Sequence, residues 1–134
     1  MRAARAEAAR WLLAAREDLA YARHAATGAF HAPACFFSQQ AAEKAIKSVH
    51  YARGARAVIG HNLRALIENL DPPEPDVREL LEVARELDLL YVPARYPNGL
   101  AEGTPGEAFS ATQSDRAIGS AEAIVEAAAR VLER

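Results

Sequence analysis

Only one cysteine, Cys35, occurs in 134 residues. A single thiol forms no intrachain disulfide, so this fold must be held by its core. Flanked by Phe36 and Phe37, the thiol is expected to be buried and inert. Lysine is nearly missing as well: Lys44 and Lys47 stand alone beside many arginines. Arginine's rigid fork suits phosphate, though coding bias produces the same skew. No apolar run reaches the roughly 18 residues of a membrane span. The N-terminal MRAARAEAARWLLAA contains Glu7 and passes into an amphipathic pattern, not an apolar signal core. A cytoplasmic protein with no membrane partner is expected. Charge of one sign is also scarce, with a formal net charge of -2 and 25% charged residues. That excludes a whole-surface electrostatic hold on nucleic acid, but not a local basic patch. Alternating β-branched runs are absent, which excludes a sheet. His24, His31, His50 and His61 are scattered, and no His-x-x-x-His or paired-carboxylate cluster supports a metal. Gly99, Gly103 and Gly106 follow no predicted strand, so they make no dinucleotide or Walker loop. No metal and no cofactor are expected.

What is present is helix. The apolar fraction is 51%, enough for one real core in one domain, residues 1–134. Residues 3–26 are alanine-rich, with Leu12, Ala15, Leu19, Ala22 and Ala26 on one face and Asp18 on its flank, read as wet in preference to a buried polar anchor. Gly28 is expected to end that helix. Pro33 opens a second, predicted over 33–53 and stopped by Gly54. Its Ala41, Ala42 and Ala45 keep it thin, so a partner helix can approach closely. A third is predicted over 61–70. The DPPEP stretch, residues 71–75, cannot continue it. Asp76 with Glu79 reads as a capping box for a fourth helix over 77–92, ended by Pro93. Residues 93–109 form one long Pro/Gly loop. Ser110 with Gln113 caps a fifth helix over 111–132. Short connections favour antiparallel neighbours, so the fold class is all-α, an up-and-down antiparallel bundle of about five helices. The alanine-lined faces also suit a homodimer.

The polar candidates cluster around CFFSQQAAEKAIKSV, residues 35–49. Gln39, Gln40 and Glu43 are expected at a polar seam facing His61 or the loop at Arg95. A buried Glu43 needs a partner, and Arg95 is taken as its source. Arg56 and His61 lie five apart on a connector. An imidazole moving a proton beside a guanidinium holding phosphorane charge suits ribonuclease chemistry. The alternative is that His61 packs or caps a helix start while Arg56 is solvated. Arg95 and Tyr96, with Tyr91 upstream, suit a phosphate beside a stacking ring. Equally, Arg95 can pin its loop.

Taken in order, these residues resemble a known family. Trp11, Asp18-Leu19 and Ala22 are followed by Cys35-Phe36-Phe37-Ser38-Gln39-Gln40-Ala41-Ala42-Glu43-Lys44-Ala45. Then come His61-Asn62-Leu63-Arg64-Ala65-Leu66, Tyr91, Arg95-Tyr96-Pro97 and a small-residue helix after Phe109. The set resembles the HEPN domain, the higher eukaryotes and prokaryotes nucleotide-binding domain, over about residues 8–132. The resemblance implies a helical bundle, a homodimer and a nucleotide or RNA ligand. It implies a toxin–antitoxin-like pairing with a separately encoded minimal nucleotidyltransferase, whether as an active component or as a non-enzymatic partner subunit. Some branches of that family are metal-independent ribonucleases, with arginine four to six residues before a histidine late in the bundle. Here no histidine follows Arg95, and the matching string is Arg56 to His61, earlier in the topology. The signature positions carried over are Gln40, Glu43, Lys44, His61, Arg95, Tyr96 and Pro97. Arg56, His61 and Arg95 are the catalytic candidates.

Overall fold

The computed structural model describes residues 2–134. Among them every regular element is helical: α1 (Arg2–Thr27), α2 (His31–Ala52), α3 (Leu63–Glu68), α4 (Pro75–Arg78), α5 (Leu81–Asp88), α6 (Pro105–Ala108) and α7 (Ala111–Leu132). A single 3-10 turn, Pro97–Gly99, lies in the long loop. The all-α bundle expected from the periodicity is the fold observed. None of these helices is long and apolar enough to cross a membrane.

Three long helices carry the bundle. α1 buries Ala8, Ala15, Leu19 and Ala22, which recur at helical spacing. Its left-handed turn falls on Ala29 (φ 64°) rather than on Gly28. α2 is the central helix, packed by α1, α7, α3 and α5. Ala41, Ala42 and Ala45 are fully buried and let the neighbouring backbones come close. Gly54 (φ 96°) follows α2 and stops it, since a side chain resists that conformation. Pro33 lies inside the first turn, two residues after the helix begins, where its missing N–H still leaves no orphan acceptor.

α7 begins as its sequence predicts. Ser110 Oγ accepts from Gln113 N, and the Gln113 side chain accepts from Ser110 N at 2.7 Å. Arg16 pairs with Glu126 and Arg23 with Glu122, so α1 and α7 run antiparallel. Trp11 stacks on Tyr51 and Tyr21 meets Phe37, so α1 and α2 do too. α2 and α7 therefore point the same way. The leg that returns the chain between them is made of the short helices α3 to α6.

Those short helices depart from the predicted bounds. Asn62 caps α3 by accepting from Ala65 N at 2.8 Å, which leaves His61 outside the helix. The Asp88 carboxylate also accepts from Leu63 N (2.6 Å) and Arg64 N (3.0 Å). The predicted fourth helix is two pieces, α4 and α5. Pro75 takes the first position of α4, so Glu74 becomes the N-cap and no Asp76–Glu79 box forms. Asp76 instead accepts from Arg134 Nη2 at 2.6 Å. Within the loop, Thr104 and Glu107 form an unpredicted capping box that starts α6.

Candidate functional site

The seam on α2 is charged and buried. Glu43 is 4% exposed. Its carboxylate receives Lys47 Nζ at 3.1 Å, His61 Nδ1 at 3.2 Å and Gln39 Nε2 at 3.3 Å. Gln39, Glu43 and Lys47 lie one turn apart along α2, so the helix itself aligns them. Gln40 Nε2 donates to Gln39 Oε1 at 2.7 Å, and Gln39 Nε2 also reaches the His61 carbonyl at 3.3 Å. Lys47 is itself buried, with its ammonium 5.8 Å from the centre of the Trp11 ring. A buried carboxylate held by a cation and by amide donors has its desolvation offset.

The expected Arg95–Glu43 pair does not form. Lys47 supplies the buried cation from one helical turn away, and Arg95 goes elsewhere. Its guanidinium carbon lies 4.5 Å from the Tyr91 ring centre, 4.7 Å from Phe36 and 4.8 Å from Tyr96. Its Nε donates to the Tyr91 carbonyl at 3.0 Å. Among the described residues its Nη groups have no hydrogen-bond partner. The loop is thus pinned through Nε while four N–H donors stay available.

His61 links the two halves of the site. It stacks on Tyr91, with ring centres 5.0 Å apart and planes 16° apart. Its side chain is 58% exposed although it touches the buried Glu43. Because a carboxylate only accepts, Nδ1 donates to it, which leaves Nε2 as the ring's remaining polar atom. Glu43 orients His61, Tyr91 carries both His61 and Arg95, and Tyr96 stands 49% exposed at the rim.

Two candidates lie apart from this centre. Arg56 is exposed on the 53–62 connector and shares no hydrogen bond or ion pair with His61 among the described residues. Lys44 turns to α1 and meets Asp18 Oδ2 at 2.7 Å. That contact corrects the wet-flank reading of Asp18, which is only 5% exposed. The contact is ionic and not an aligned hydrogen bond. The residues that sequence reasoning left out of the site are Lys47 and Phe36. The Glu43–Lys47 spacing of four was a usable signal; the approach of Phe36 to Arg95 had none.

Elsewhere, Cys35 is fully buried as expected, and burial pushes its thiol up to about 11. Among the described residues no cluster of three or more His, Cys, Asp or Glu side chains is placed to hold a metal.

An all-helical bundle with a carboxylate-oriented histidine and a ring-caged arginine at one edge is the class of protein that this geometry defines. The HEPN domain model matches residues 8–132, and the chain belongs to that family. The crystal structure of TT1696 from Thermus thermophilus is similar to it, with 33% identity and a TM-score of 0.85 over 93% of this chain and 98% of that one. ST0689, an archaeal HEPN homologue, shares 34% identity, with a TM-score of 0.78 over 94% of this chain and 98% of its own. A HEPN domain protein from Thermotoga maritima, tm0613, shares 33% identity, with a TM-score of 0.74 and coverage of 93% and 98%. No curated protein sequence matches the chain.

Proposed function

We propose that the chain binds a nucleotide or RNA at the edge formed by Arg95, Tyr91, Tyr96, His61 and Glu43. The observation that carries this reading is the Arg95 guanidinium, held among three rings with its Nη donors unused among the described residues. Such a group takes a phosphoryl oxygen pair in a fork while the neighbouring ring receives a base. His61 adds a donor or acceptor at Nε2 on the same edge. Glu43 acts through His61 by fixing its ring, and Gln40 supports that carboxylate directly and through Gln39.

A second reading, a non-enzymatic subunit that pairs with a minimal nucleotidyltransferase, is favoured by the separation of Arg56 from His61. Cleavage would need an arginine on the reacting phosphate beside the proton carrier. Arg95 is the one that approaches His61's stacking partner.

Arg95→Ala and His61→Ala separate the possibilities. Each variant is assayed for melting temperature, for binding of uridine monophosphate and short RNA, and for RNA cleavage in a chelator. A binding site predicts folded variants, Arg95→Ala losing about 1 kcal/mol or less of stability while its affinity falls at least about tenfold. A wild type that binds neither ligand, and copurifies with a nucleotidyltransferase, sinks the ligand reading in favour of the subunit.

A further inference from the structure

The rings at the Arg95 edge do not stop there. His61 stacks on Tyr91 at 5.0 Å, and Tyr91 meets Phe36 at 6.5 Å. Phe36 meets Phe37 at 5.6 Å, and Phe37 meets Tyr21 of α1 at 5.6 Å. The row crosses α2 from the connector before α3 to the far flank on α1. Its inner rings, Phe36 and Phe37, are only partly covered, and its end, Tyr21, is 53% exposed. The core beneath is built mainly from alanine and aliphatic side chains, with Tyr51 the one buried aromatic residue among the described residues. Phe36 also packs against that core, whereas Phe37 and Tyr21 lie outside the core cluster and are not needed to fill it.

We infer that the ligand of this protein is a short single-stranded oligonucleotide, lying along the row from Arg95 to Tyr21, with the exposed Tyr21 ring, set edge-to-face on Phe37 at 74°, offering the second base-stacking face. The inference rests on the ligand reading above and extends it from one nucleotide to several. A mononucleotide is held at the Arg95–Tyr96 end and leaves the Phe37–Tyr21 end empty. Bases stack on side-chain rings whatever their identity, and only unpaired bases expose both faces. A duplex hides those faces, so the row selects single strands. The Arg95 guanidinium holds a phosphodiester at one end, and His61 offers Nε2 beside it.

The test is a length series on the intact chain, by fluorescence anisotropy, using uridine monophosphate, tetrauridylate, octauridylate, oligo-deoxythymidylate of eight and an eight-pair duplex. Affinity is expected to rise about tenfold or more from monomer to tetramer, and the duplex should bind more weakly than either single strand. Equal affinities for the ribo and deoxy octamers show a surface that reads bases and phosphates only; a preference for ribo adds the 2′-hydroxyl as a contact. Both support the inference. Tyr21→Ala changes an exposed ring, so it should fold, and it should reduce the ratio of tetramer to monomer affinity about tenfold. Tyr21→Phe should keep that ratio. A tetramer that binds no better than the monophosphate, or a ratio untouched by Tyr21→Ala, overturns the second platform while leaving the mononucleotide site standing. Loss of all binding in wild type overturns both. If Tyr21→Ala instead lowers the molecular mass from dimer to monomer with the ratio unchanged, the row is a contact between copies and the inference is wrong.

Discussion

Ala41, Ala45 and Ser48 run along one stripe of α2, while Gln39, Glu43 and Lys47 run along the next, and both stripes are buried. The first asks little of its surroundings. Alanine carries no polar side chain, and the Ser48 hydroxyl returns to the Ala45 carbonyl at 2.5 Å within its own helix. Close approach of neighbouring backbones is then enough to seal it. The second stripe carries two charges that must be matched. Its amides, its cation and His61 are all committed to one carboxylate. The difference teaches that burial alone does not mark a site. A buried stripe that satisfies itself is scaffold, whereas one whose satisfaction reaches out to a half-exposed histidine is connected to the surface.

The comparison breaks most sharply at Glu43. Glu43→Ala should cost about 3–5 kcal/mol, because Lys47 would be left buried without its counter-charge. Urea unfolding reads the loss. Adding Lys47→Met should restore most of it, since the pair is then removed together. If the single change costs under about 1 kcal/mol, the charged stripe is not coupled as described.

A smaller effect is expected on the alanine stripe. Ala45→Leu adds bulk where no space exists and should cost about 1–3 kcal/mol by overpacking. Thermal melts followed by circular dichroism measure it, and binding at the Arg95 edge should survive. Equal damage to binding and stability would show that the two stripes do not act separately.

The smallest effect concerns Cys35, which lies in the sealed interior. A thiol reagent should label it only at the rate of local opening. Burial raises its ionisation to about 11 from an ordinary value of 9.0. The folded thiol therefore stays neutral where an unfolded one ionises. Its contribution to stability is intact below pH 9.0 and declines as pH rises through about 11. Rapid labelling of the native chain near neutral pH would show that the interior is open.

Much of the scaffold was legible in the chain itself. The three long helices follow from apolar spacing, from Gly54 after α2 and from the Ser110–Gln113 cap, all of which act within a few residues of one another. The polar seam was legible too, since Gln39, Gln40 and Glu43 share a turn of helix that meets His61. The short elements were not. Asp88 caps α3 from 25 residues away, and Arg134 draws off Asp76 from across the chain.

The sequence by itself determined that this is a bundle of helices with one alanine-rich central member, because helix propensity, capping and periodicity are local. It also determined the family signature. Only the tertiary structure decided that Lys47 answers Glu43, that Lys44 answers a buried Asp18, and that Arg95 rests among Phe36, Tyr91 and Tyr96. Charge pairing and ring stacking depend on distances across helices, and those distances exist only once the bundle has closed. That is why Arg56 and His61, near in sequence, share no bond among the described residues, whereas Tyr21 on α1 and His61 on the connector before α3 end in one row of rings.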